Sequence, residues 1–140
     1  MDLAALKSEY DLDPIGLGYA GKTAQQKHDL IMRIPPAPAV GRRLERGVIE
    51  AHELFEAVDR VEYVALVPTD RQMLDALLSM GTVNLRGAKT RATLDDIFPA
   101  LTGPLTRAAI GALRWRPASR AEVLGYDNLG LGNTEGALAL

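Results

Sequence analysis

A chain of 140 residues is long enough to bury one hydrophobic core and short for two, since independent domains typically hold about 100 to 150 residues. Its hydrophobic share of 47% and charged share of 24% belong to a globular protein and exclude a disordered or fibrous one. The 16 Lys and Arg against 18 Asp and Glu leave a net charge of -2, which denies the chain the positive field of a generic nucleic-acid binder. The lack of cysteine excludes disulfides and thiolate metal sites.

The opening Met1-Asp2-Leu3-Ala4-Ala5-Leu6-Lys7 has an acid where a secretory signal would carry positive charge. No stretch approaches the roughly 18 apolar residues needed to cross a bilayer, so a soluble protein made in the cytoplasm is expected. Leu3, Leu6 and Tyr10 recur at helical spacing, and Asp13-Pro14 stops the pattern. After a glycine-rich turn, Thr23 and Gln26 form the signature of a capping box opening a helix with Leu30 and Ile31. Three prolines in Ile34-Pro35-Pro36-Ala37-Pro38-Ala39-Val40-Gly41 remove backbone donors and mark a connector.

From about Arg46, the residues Val48, Ala51, Phe55 and Val58, with Leu54 alongside, give an apolar stripe that predicts a helix. Arg60–Val67 suits a strand or a helix, and Asp59 with Glu62 three residues on resolves it as a capped helix. Pro68-Thr69-Asp70 restarts a helix with Met73, Leu74, Leu77, Leu78 and Met80, closed by Gly81. Thr82-Val83-Asn84-Leu85 has no evident partner strand, so no sheet is expected. Further helical patterns carry Leu94, Ile97, Phe98 and Leu101, then Leu105, Ala109, Ala112 and Leu113 running to Trp115. Ser119 and Glu122 cap a last short helix ending at Gly125, and Gly130, Gly132 and Gly136 then suggest a mobile tail. The expected fold is all-α, a small bundle of about six or seven short helices with a flexible glycine-containing C-terminal tail. Its parts are an N-terminal helical arm (1–34), a Pro-rich connector (35–46), a helical body (47–125) and the tail (126–140).

Several residue sets imitate functional sites. Gly16, Gly18 and Gly21 have the G-x-G-x-x-G spacing of a dinucleotide site, but no buried strand precedes them, so a turn is expected and no cofactor. His52 and Glu56 sit one helical turn apart beside Glu50 and Glu53, too few ligands for a metal. Asp95 and Asp96 diverge by about 100° on a helix, which argues against shared acid-base work and for placement in a first turn near the helix dipole. Ser8, Ser79 and Ser119 lack the setting of an activated nucleophile, so no catalytic residue is assigned and no enzyme expected. Arg114, Trp115, Arg116 and Arg120, with Arg107 nearby, form the one local basic concentration, and Arg42, Arg43 and Arg46 a looser one. An aromatic between arginines can stack on a base or anchor a protein interface. Arg114, Trp115, Arg116, Arg120 and the terminal Leu138 and Leu140 are therefore the candidate interface residues.

Three stretches together carry a resemblance: Asp13-Pro14-Ile15-Gly16-Leu17-Gly18-Tyr19-Ala20-Gly21, Glu53-Leu54-Phe55-Glu56-Ala57-Val58-Asp59, and Ser119-Arg120-Ala121-Glu122-Val123-Leu124-Gly125. They resemble a family of short, mostly uncharacterised tailed-bacteriophage proteins associated with virion structural genes. The resemblance spans most of the chain and departs at the proline-rich connector and at Tyr126-Asp127-Asn128. It implies a virion component at the head-tail connector, where adaptor rings next to the portal are built of small, mostly helical subunits. The implied partners are copies of itself in a ring and the portal and tail or stopper proteins, with no membrane and no specific nucleic acid. A flexible tail and a rigid proline arm would suit ring contacts. The alternative class is a small regulatory or nucleic-acid-binding module acting through the same arginines.

Overall fold

The computed structural model describes residues 1–140. The chain forms two compact units, each with its own core, where the length alone suggested one. Unit 1 joins both chain ends, Met1–Leu44 and Arg116–Leu140, and unit 2 is the intervening Glu45–Trp115.

Unit 1 opens with α1 (Leu3–Leu12), whose N-terminus is capped by the Asp2 carboxylate accepting the N–H groups of Ala4 and Ala5. Helix α2 (Ala24–Met32) has the full capping box of Thr23 and Gln26 and ends ahead of Pro35. The capped segment at Ser119 is α8 (Arg120–Val123). The tail expected to be mobile is instead α9 (Leu131–Leu138), packed on α1 and α2. Its Thr134 is fully buried and its hydroxyl lies 2.7 Å from that of Tyr10. Tyr10 and Tyr19 meet edge to face with ring centroids 5.0 Å apart, and Leu6, Ile31, Ala121, Leu129 and Ala137 complete the core. The C-terminal segment is thus no loose end free to reach ring neighbours, because packing on α1 and α2 overrides the glycines' poor helix propensity.

Unit 2 corrects the all-α expectation. The chain is mixed, with nine helices over half its length and two small two-stranded antiparallel sheets. Strands β1 (Arg43–Glu45) and β4 (Trp115–Pro117) pair, and the chain passes between the two units within them. Strand β2 (Val48–Glu50) pairs antiparallel with β3 (Thr82–Asn84), Ile49 opposite Val83, both turned into the core. The segment read as the start of a helix is thus a strand, and the segment thought to lack a partner is its partner.

Helix α3 (Ala51–Ala57) begins only after β2. Helix α4 (Arg60–Val64) is capped by Asp59, which accepts the Glu62 N–H as the sequence suggested. Then come α5 (Pro68–Leu78), α6 (Ala88–Ile97) and α7 (Pro104–Leu113), the last ending before β4 rather than continuing to Trp115. The core is Ile49, Leu54, Leu74, Val83, Leu85, Leu94, Ile97 and Phe98. Phe55 and Val48, members of the stripe read from the sequence, are 63% and 56% exposed.

Helix α7 has no capping side chain of its own, since Gly103 stands at its N-cap. The carboxylate of Glu62 takes that role from α4, accepting the N–H of Thr106 at 2.7 Å and of Leu105 at 3.0 Å. Thr106 Oγ1 in turn accepts the Asp59 N–H. Burial pushes the Glu62 carboxyl up, but hydrogen bonding from Thr106 and Leu105 outweighs it and holds the group below its ordinary 4.5. A depressed carboxyl adds stability that is present above about 4.5 and is lost as pH falls through the folded value. We expect Glu62→Gln to lower stability at pH 7 and to flatten its acid dependence below pH about 4.5, read from urea midpoints across pH.

Candidate interaction surfaces

The glycine triplet is a turn whose carboxylate comes from within. Gly16, Gly18 and Gly21 all have positive φ, a conformation open to glycine and costly for other residues. Asp13 accepts the backbone N–H of Leu17 at 2.6 Å and of Gly18 at 2.8 Å. Donors of the kind a pyrophosphate would need are taken up by Asp13.

Glu53, one of the acids around His52, forms a two-pronged pair with Arg46 at 2.8 and 2.9 Å. That pairing first, then the Glu50 N–H, draws the Glu53 carboxyl below its usual range. Asp95 and Asp96 occupy the last turn of α6, not a first turn. There the helix dipole disfavours them, and Asp95 faces Arg107 across 3.5 Å instead.

The six candidate interface residues are divided between the two units. Arg114 and Trp115 belong to unit 2, and Arg116, Arg120, Leu138 and Leu140 to unit 1. Arg114 pairs with Glu45 at 3.2 Å and Arg116 with Glu122 at 3.0 Å. Arg120 is nearly buried and holds Glu9 through Nε and Nη2 at 2.9 and 3.0 Å. Leu138 packs against the unit 1 core, whereas Leu140 is 66% exposed. Arg120 and Leu138 are therefore parts of the fold.

Sequence reading missed a groove of about 520 Å³ in unit 2. Phe55, Val58, Tyr63, Leu74 and Leu78 form its apolar walls, and Glu56, Arg60 and Asp75 its charged rim. Asp75 accepts the Tyr63 hydroxyl at 3.3 Å, while neither Glu56 nor Arg60 has an ion-pair partner. Phe55 in its wall is more than half exposed, as are Val61, Val64, Val67 and Met73 elsewhere on α4 and α5 and the turn between them. An apolar concavity with an exposed aromatic in its wall suits a contact face. No sequence signal set it apart from core, since Phe55 and Val58 belong to the same apolar stripe as the buried Leu54.

No helix is long and apolar enough to cross a membrane. No family model, curated protein or solved structure matches the chain.

Proposed function

We propose that this chain is a non-enzymatic structural component of a tailed-bacteriophage virion, placed at the head-tail connector and acting through protein contacts made by the α3–α5 groove. The observation that carries the protein-binding part is the groove itself, with Phe55 at its mouth and uncommitted Glu56 and Arg60 on its rim. The virion part is supported by the resemblance carried by Asp13–Gly21, Glu53–Asp59 and Ser119–Gly125. The occupant that suits the groove is a segment of an adjacent virion protein. It presents apolar side chains to Phe55, Val58 and Leu78, a basic residue to Glu56 and an acidic residue to Arg60. In a connector, the portal and the tail or stopper proteins are the neighbours that would supply it, with copies of this chain arranged in a ring.

Phe55→Asp tests the reading because an aromatic anchor at a contact face commonly contributes about 2 kcal/mol or more to binding. Its exposed position makes the substitution cheap for folding. Particles assembled with Phe55→Asp should contain at least about tenfold less of the chain by quantitative mass spectrometry. Normal incorporation would remove the groove from the account, and absence of the unsubstituted chain from particles would remove the virion.

A second class, nucleic-acid binding through Arg114, Trp115, Arg116 and Arg120, loses support because Arg116 and Arg120 are committed to Glu122 and Glu9, and Arg120 is nearly buried.

A further inference from the structure

A second concavity of unit 2, of about 250 Å³, lies between α6 and α7 and differs from the groove in its chemistry. Arg91 and Asp95 stand one turn apart on α6, as do Arg107 and Gly111 on α7, with Arg114 following at the C-cap of α7. Helical periodicity sets each group on one face of its helix, and Leu85, Leu94 and Ile110 provide apolar lining. Three guanidinium groups thus share a small pocket with one carboxylate, in a chain whose net charge is -2.

These arginines are poorly matched within the protein. The Arg91 guanidinium makes no hydrogen bond or ion pair within the protein. The Arg107 guanidinium has two polar contacts within the protein, both at 3.5 Å, to Asp95 and to the Phe98 carbonyl. Arg114 gives Nη2 to Glu45, while its buried Nε has no acceptor. Gathering three guanidinium groups around one carboxylate is unfavourable until an anion occupies the space, and the buried Arg114 Nε lacks the acceptor that such an anion would supply.

We propose that this pocket binds a single phosphate group, as a free anion or as a small phosphomonoester. Guanidinium forks match the paired oxygens of phosphate in geometry and charge, and a phosphomonoester carries about -1.5 to -2 at neutral pH. The lining has no aromatic ring on which a base could stack, and the overall acidity of the chain opposes a polyanion running across it. Room for the ligand is left by Gly111, where an added Cβ would meet nothing within 4 Å. The pocket is separate from the α3–α5 groove and does not depend on the virion reading.

The test is calorimetric titration of the full chain at low salt with orthophosphate, O-phosphoserine and a short DNA duplex. Saturable one-to-one binding of orthophosphate or phosphoserine is expected, weakened about tenfold by Arg91→Gln and unchanged by Arg33→Gln. Gly111→Leu fills the pocket without touching a charge and improves helix propensity, so it should abolish binding while thermal unfolding confirms the fold. Tighter phosphoserine binding assigns an ester ligand and tighter or equal orthophosphate binding a free anion, and both uphold the site. The proposal is overturned by no saturation by about 10 mM of either probe. It is also overturned by binding indifferent to both pocket variants, or by binding of the duplex alone.

Discussion

Arg120→Ala should lower the stability of unit 1 by about 3 to 5 kcal/mol, the usual cost of stranding one partner of a buried ion pair. The Glu9 side chain is only 6% exposed and that of Arg120 12%, and two short hydrogen bonds join them. The same guanidinium donates from Nη1 to the Gly41 carbonyl at 3.3 Å, tying α1, α8 and the end of the proline-rich connector to one group. Without it, the Glu9 carboxylate keeps only the Tyr19 hydroxyl, at 3.5 Å. Urea unfolding followed by far-UV circular dichroism, with hydrogen exchange at α1 and α8 amides, would read the loss. Glu9→Leu combined with Arg120→Met should cost much less than Arg120→Ala, because neither charge is then left buried. A loss below about 1 kcal/mol for Arg120→Ala would mean that the pair is solvated.

The second large effect separates two neighbours on α3. Leu54 is fully buried among Ile49, Leu74 and Ile97, whereas Phe55 faces the groove. Leu54→Ala should destabilise unit 2 by about 2 to 5 kcal/mol, through lost apolar contact and the cavity left behind. Phe55→Ala should change stability by less than about 1 kcal/mol, despite removing a larger side chain. Equal costs, or the reverse order, would contradict the placement of α3. Trp115 fluorescence and thermal unfolding suffice to compare them.

That contrast shows where the sequence was legible and where it was not. Signals confined to a few residues were readable: Thr23 with Gln26, Asp59 with Glu62 and Ser119 with Glu122 mark helix starts that the structure has, because a cap bonds to backbone two or three positions on. The strands were not readable. Three residues cannot distinguish a period of 2 from 3.6, and Ile49 finds Val83 far along the chain. Val48, three positions before Ala51, therefore entered a helical stripe although the helix itself begins at Ala51.

The tail failed for the opposite reason. Its glycines argue against a helix locally, but α9 is held by Thr134 against Tyr10 and by Gly136 close to Leu3, contacts that no local pattern announces. Likewise Glu9 and Arg120 lie far apart in the sequence, and only the fold brings them together. Among the candidate interface residues, Arg114 shares a pocket with Arg91 and Arg107, which lie on helices whose mutual approach the sequence does not reveal. The groove was hidden because Phe55 and Val58 were apolar enough to pass for core.

The central claim is that the α3–α5 groove is a protein contact within an assembled virion. Electron cryomicroscopy of particles containing the unsubstituted chain tests it most directly, at a resolution that places Phe55. The account predicts density for this chain at the head-tail junction, with an apolar segment of a neighbouring protein seated between Phe55 and Leu78. Density in which the groove faces solvent, or a junction without the chain, would contradict it.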